Sequence, residues 1–116
     1  MRTTAEVFDS HLLYTLDWDI ESDIELNYAP HCYLISSYGV FFGRMGIRKA
    51  FAVLESQIPE ANFLYTTKTV YNEIAFLEWQ AEAADSYIDD GVDTFIINNG
   101  KIVIQTMHYT VKDREK

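Results

Sequence analysis

Asp93 is the residue of this chain whose neighbours best suit it to move a proton. It stands in Asp89-Asp90-Gly91-Val92-Asp93-Thr94-Phe95, which continues through Asn98-Asn99-Gly100-Lys101-Ile102 to Gln105-Thr106-Met107-His108-Tyr109. Alternation on both sides of an Asn-Gly turn reads as one β-hairpin. With a three-residue loop, Asn98-Asn99-Gly100, Ile97 pairs with Lys101 and Asp93 falls opposite Gln105. One face then carries Asp93, Phe95, Val103, Gln105, Met107 and Tyr109. With a two-residue loop, Asn99-Gly100, the register slips by one and Asp93 shares its face with Thr106 and His108. The three-residue loop is the preferred reading. An acid among Phe95, Val103 and Met107 is either a surface carboxylate at an open strand end or a pocket acid with a shifted protonation state. In the second case it serves as general acid or base, with Gln105, Tyr109 or, more weakly, His108 to orient or polarise a carbonyl.

Other chemistries find little support. His11, His31 and His108 lie on different elements and form no close ligand pair, so no metal site is expected. No Gly-x-Ser-x-Gly elbow, Walker loop or dinucleotide-binding glycine pattern occurs, and no cofactor is expected. Gly39, Gly43 and Gly46 have the wrong spacing for a phosphate loop and suit a turn and a helix start. Cys32 is the single cysteine, which rules out an internal disulfide and reads as inert core. Tyr14, Trp18, Trp79 and Tyr109 read as core or pocket wall. Glu78 and Glu82 alternate with Trp79 and Ala81 and read as a solvated rim.

These residues must be positioned by helices first and strands after. Thr3 and Glu6 have capping-box spacing, and Ala5, Phe8, Leu12 and Leu16 make an apolar stripe, so a first helix runs to about Asp17. Ile20, Ile24 and Tyr28 predict a shorter second helix that Pro30 ends. His31 to Ser37 alternates as a strand and leads into a Tyr38-Gly39 turn. Ile47, Ala50, Phe51, Leu54 and Ile58 mark a third helix after Gly43, stopped by Pro59. Four strands follow at 63–71, 74–84, 92–97 and 101–111. Helices segregated from a run of strands predict an α+β class, three helices first and then a strongly curved antiparallel sheet with an internal pocket.

At 116 residues, 48% of them hydrophobic, the chain suits a single domain spanning residues 1–116. Eighteen acidic against nine basic residues give a net charge of −9, which repels nucleic acid and anionic membrane surfaces. With no charged-then-apolar leader and no apolar run of spanning length, a cytoplasmic location is expected.

The order of elements, with Gly39-Val40-Phe41-Phe42-Gly43-Arg44, Leu77-Glu78-Trp79, Asp90-Gly91-Val92-Asp93-Thr94-Phe95 and Gly100-Lys101-Ile102 leading to His108-Tyr109, resembles the SnoaL-like branch of the nuclear transport factor 2-like superfamily. The resemblance runs from about Thr4 to Val111. It implies a cone-shaped fold shared by polyketide cyclases, ketosteroid isomerases, hydratases, epoxide hydrolases and binding domains. Against ketosteroid isomerases, Asp93 falls where the hydrogen-bond-donating acid stands. Ser36 stands at the general-base position and Leu12 at that of the oxyanion-hole tyrosine, so two of three parts differ. Against SnoaL-type cyclases, Asp93 is again the implied acid, with Gln105, His108 and Tyr109 as orienting partners. The expected pocket wall comprises Leu12, Tyr14, Ser36, Trp79, Phe95, Val103 and Met107.

Three functions remain open: a cofactor-free lyase or isomerase acting on a small apolar carbonyl compound, a binding module for an apolar metabolite, and a dimerisation domain. A homodimer is expected through the sheet face bearing Val92, Thr94, Ile96, Ile102, Ile104, Thr106 and His108, which is too apolar to face water.

Overall fold

A computed structural model describes residues 1–114. The capping box forms as its spacing requires, Glu6 N–H donating to Thr3 Oγ1 at 3.1 Å and Thr3 N–H to Glu6 Oε1 at 2.8 Å. It starts helix α1 (Thr4–Leu16). The buried line of α1 is Val7, Phe8, His11, Leu12 and Thr15, while Ala5 and Leu16 are exposed. The helix is thus turned from the expected stripe, because His11 and Thr15 find hydrogen-bond partners inside. Helix α2 (Ile20–Asn27) ends before Tyr28, which opens strand β1 (Tyr28–Ser36) in extended geometry. Arg44 holds that break by donating to the Tyr28 carbonyl at 2.9 Å. Pro30 lies within β1, where the ladder to its neighbour is interrupted between Tyr28 and Tyr33, as a residue without an N–H requires.

A short strand, β2 (Gly39–Phe42), pairs back on β1 where only a turn was expected. Helix α3 (Gly43–Gln57) then buries Ile47, Ala50, Phe51 and Leu54, as its periodicity implies. Strands β3 (Asn62–Tyr71), β4 (Ile74–Glu82), β5 (Ser86–Asn98), β6 (Lys101–His108) and β7 (Lys112–Asp113) follow. The spatial order is β2-β1-β6-β5-β4-β3, with β7 on β5. Strand β1 runs parallel to β6, so the sheet is mixed and not wholly antiparallel. The chain between these two strands is long enough to satisfy either direction.

Register shifts interrupt the β3–β4, β4–β5 and β5–β6 ladders. Such bulges bend strands, and here they curve the sheet around the helices. In the second, Trp79 pairs with Gly91 and Ala81 with Ile88, leaving the exposed Asp89 and Asp90 opposite the single residue Gln80. The stretch read as a loop from Asp85 to Gly91 is therefore strand from Ser86 onward. The last bulge decides the hairpin. Asn98 pairs with Lys101, so the loop is the two-residue Asn99-Gly100, both at positive φ (52° and 73°), and not the preferred three-residue loop. Asp93 accordingly pairs with Met107 and not with Gln105. Between the pairs Ile97–Ile102 and Ile96–Ile104, Val103 is the extra residue. It shifts the rest of β6 by one, which returns Gln105, Met107 and Tyr109 to the buried side with Asp93. Asp93, Phe95, Gln105 and Met107 share the buried side as expected, whereas Val103, Ile102 and the turn depart from the reading.

Candidate functional site

Between helices α1 and α3 and the sheet lies a cavity of about 30 Å³. That volume holds one or two waters. Its walls are His11, Leu12 and Thr15 of α1, Phe51 and Leu54 of α3, and Phe63, Tyr65, Leu77, Trp79, Asp93 and Met107 of the sheet.

Asp93 is 5% exposed, and both its oxygens accept hydrogen bonds. Trp79 Nε1–H donates to Oδ1 and Gln105 Nε2–H to Oδ2, each at 2.9 Å. Gln105 is itself oriented, because the Tyr28 hydroxyl donates to its Oε1 and leaves the amide nitrogen toward Asp93. Trp79 is placed by Gly91, the residue paired with it across the bulge. A Cβ on Gly91 would lie 2.3 Å from the indole ring, so the ring occupies space that only glycine leaves free. Burial drives the Asp93 carboxyl up to about 6, against the donations from Trp79 and Gln105 and the opposing influence of His11. Two incoming N–H bonds favour the carboxylate, so at neutral pH this is a proton acceptor in an apolar wall.

A second titratable group borders the same cavity. The His11 Nδ1–H donates to Asp23 Oδ2 at 2.7 Å, with both residues almost fully buried. Asp23 Oδ1 accepts from Asn27 Nδ2 at 2.9 Å, and Asn27 Oδ1 accepts from Arg2 at 2.7 Å. Facing rings of Tyr28, Phe51 and Phe95 hold the imidazole. Among the described residues no group bonds His11 Nε2. On the α1 side, the hydroxyls of Thr15 and Tyr65 bond each other, and burial pushes Tyr65 up to about 12. Leu12 and Tyr65 also border an outer groove between α1 and β3, so these two side chains separate the cavity from the surface.

The residues expected from sequence are thus dispersed. Leu12, Trp79, Asp93 and Met107 line the cavity. Gln105 stands behind Asp93. Tyr109 packs on Trp79 at 5.8 Å and gives its hydroxyl to Gln57 Oε1, outside the cavity wall. Phe95 is buried against Phe8 and His11. Ser36 lies at the end of β1, accepting from the Tyr38 N–H, and is no part of the wall. Val103 is the bulge residue, and Tyr14 is half-buried away from the cavity. His108 is exposed on the other face, paired with Val92. His11, Asp23, Thr15 and Tyr65 were not singled out, although His11 and Thr15 stand four and eight residues beyond Val7 on one helical line. Among the described residues, no three His, Cys, Asp or Glu side chains gather as metal ligands, and no helix is long and apolar enough to cross a membrane.

No family model and no curated protein matches the sequence. Solved structures do match. A candidate SnoaL-like polyketide cyclase from Mesorhizobium loti is 15% identical with a TM-score of 0.72, covering 93% of this chain and 100% of that one. A candidate ketosteroid isomerase from Kribbella flavida is 13% identical with a TM-score of 0.75, covering 97% and 81%. TerC, co-crystallised with polyporic acid, is 13% identical with a TM-score of 0.77, covering 92% and 91%. At such identities the likeness speaks for the fold, and one fold of this kind hosts several chemistries. The curved sheet, the three helices and these structural neighbours together establish that the chain has the nuclear transport factor 2-like fold of the SnoaL-like and ketosteroid-isomerase-like proteins.

Proposed function

We propose that the chain is a cofactor-free lyase or isomerase that takes a proton from carbon next to the carbonyl of a small, largely apolar compound. One observation carries this reading: Asp93 sits in an apolar cavity wall with both oxygens held by N–H donors and its carboxyl pushed up to about 6. A base that titrates near neutrality, with its geometry fixed by neighbours, suits proton abstraction. Asp93 acts as base, where the resemblance to ketosteroid isomerases implied a hydrogen-bond-donating acid. Gln105 and Tyr109 are not the groups that polarise the carbonyl, because their polar atoms are engaged elsewhere. The cavity of about 30 Å³ admits no substrate as it stands, so binding displaces Leu12 and Tyr65, the pair between cavity and groove.

Deuterium exchange at the α-carbons of butanone in D2O, followed by proton NMR, tests the reading. The wild-type protein accelerates exchange, and Asp93→Asn loses about 10²- to 10⁴-fold of that acceleration. Equal exchange by the two proteins, or none by wild type, sinks the catalytic reading and leaves a non-catalytic binding module.

The same chain is proposed to pair with a second copy through the outer sheet face. Phe42, Tyr33, Ile104, Ile96, Ile74 and Tyr71 are lateral neighbours in one unbroken row across six strands. The adjoining row is Val40, Ile35, Thr106, Thr94, Phe76 and Thr69. Neither row carries a charge. A chain of net charge −9 can therefore meet its copy there without bringing acids together. Ile102, expected on this face, is instead 1% exposed in the core, because the bulge at Val103 turns it inward.

A further inference from the structure

The direction of every hydrogen bond in the Arg2–Asn27–Asp23–His11 chain is fixed by its outer end. A guanidinium can only donate, so Asn27 turns its Oδ1 to Arg2 and its Nδ2 to Asp23 and to Ser10. Asp23 accepts from Asn27 on one oxygen and from His11 Nδ1–H on the other. No fully buried side-chain nitrogen or oxygen among the described residues lacks a partner, yet His11 Nε2 has no hydrogen-bond partner among them. Nε2 is therefore the atom of this ring that reaches open space, and the space His11 borders is the cavity shared with Asp93. A histidine that only filled the core would have no need of a buried carboxylate on Nδ1, itself braced by two further residues. That arrangement sets tautomer and ring orientation.

We propose that His11 is a second catalytic residue of this cavity, oriented by Asp23, and that its Nε2–H protonates the carbonyl oxygen of a small ketone or aldehyde while Asp93 takes the proton from the adjacent carbon. The proposal rests on the reading of Asp93 as the base. The C–H bond breaks, its electron pair forms the C=C bond, and the carbonyl π pair passes to oxygen, which takes the Nε2 proton. The products are a neutral enol, protonated Asp93 and a neutral His11 still donating from Nδ1 to Asp23. Return of both protons, with the carbon proton delivered to a different carbon where the compound is conjugated, completes an isomerisation without oxidant or cofactor. The titratable groups around the ring are Asp23 on α2, Tyr28 on β1 and Asp93 on β5, and α3 meets it with the Phe51 ring. Burial drives Tyr28 well above its ordinary range, so it stays neutral across the working pH.

The butanone exchange assay, run across pH on wild type, His11→Gln, Asp23→Asn and Asp93→Asn, tests this, together with nitrogen-15 NMR of the wild-type His11 ring. Wild-type exchange rises as Asp93 deprotonates. In His11→Gln the rate drops at least tenfold, while the rise with Asp93 remains. Asp23→Asn, the positioning variant, lowers the rate, leaves that rise in place and changes the nitrogen-15 signals of the His11 ring. Nitrogen-15 NMR of the wild-type protein should show a proton on His11 Nε2 as well as on Nδ1 under the assay conditions. If His11→Gln keeps the wild-type rate and profile, this proposal falls and Asp93 stands as base. If Asp93→Asn exchanges as fast as wild type, both fall. An Nε2 without a proton under the conditions in which exchange is observed overturns the acid role whether or not any variant folds.

Discussion

At the scale of single residues, the buried carboxylate of Asp93 makes stability depend on pH in a direction opposite to that of a salt-bridged acid. The group titrates at about 6 in the folded chain against 3.8 for an ordinary aspartate, so between these values the folded state binds more protons than the unfolded one. Its contribution to stability is complete below about pH 4 and is lost as pH rises through 6, a change on the order of 3 kcal/mol. Asp93→Asn removes the titration and keeps the shape. Gln105 can turn over to present Oε1 to the new amide and Nε2 to the Tyr28 hydroxyl, so the network survives in reverse. Urea denaturation at pH 4 to 7 should show wild type losing stability across this window and the variant holding level. A wild-type curve that rises instead removes the buried, raised carboxyl. Asp93 was legible in the sequence because it interrupts an apolar strand face. His11 and Asp23 were not, because a reading by apolar periodicity counts Phe8 and Leu12 and passes over the polar residues on the same face. The signal was there in spacing: His11 lies between Val7 and Thr15 at four-residue steps, and Asp23 lies between Ile20 and Asn27 beside Ile24.

At the scale of elements, the β-bulges decide what each side chain meets. Alternation predicted that Asp93, Phe95, Gln105 and Met107 point inward, and that face carries the site, but it misplaced Val103 and Ile102. It could not predict the Asn99-Gly100 turn together with the extra residue at Val103, two departures that each shift the register by one and add to two, which moves Asp93 from Gln105 to Met107 yet leaves Gln105 and Met107 on the same face. The bulge between β4 and β5 has a sharper consequence. It sets Gly91 against Trp79, whose indole both fills the space of a missing Cβ and donates to Asp93. Gly91→Ala must displace that ring, a change of the overpacking kind that costs about 1–3 kcal/mol. Displacement also withdraws one of the two donors that favour the Asp93 carboxylate, so the carboxyl should titrate still higher than in wild type. Thermal unfolding and carbon-13 NMR of the Asp93 carboxyl measure both effects on one sample. A destabilised variant with an unmoved Asp93 titration would separate the ring's packing from its hydrogen bond and deny Trp79 its place in the site.

At the scale of the whole molecule, the three helices and the late strands followed from periodicity and turn residues and the curvature from the family resemblance, whereas the parallel pairing of β1 with β6 followed from neither. That pairing joins segments far apart in sequence, and no local pattern encodes its direction. It nevertheless fixes the outer face, because it brings Tyr33 beside Ile104 and Ile35 beside Thr106, joining the β1–β2 hairpin to the main sheet in one apolar surface. Phe42 and Tyr71, at the two ends of the longer row, are 72% and 76% exposed. The middle of that row is Ile104 and Ile96, flanked by Tyr33 and Ile74, where a second sheet packing at about 30° to the first would make its tightest contact. Ile104→Lys puts a charge at that centre, where it would be buried without a partner in each half of the pair. The side chain points away from the cavity and from the helices, so the fold of one copy has no cause to change. Sedimentation equilibrium at micromolar concentration should give a dimer for wild type and a monomer for Ile104→Lys. The two proteins should show superimposable far-ultraviolet circular dichroism. A wild-type monomer, or a dimer that withstands the substitution, places the contact elsewhere or removes it.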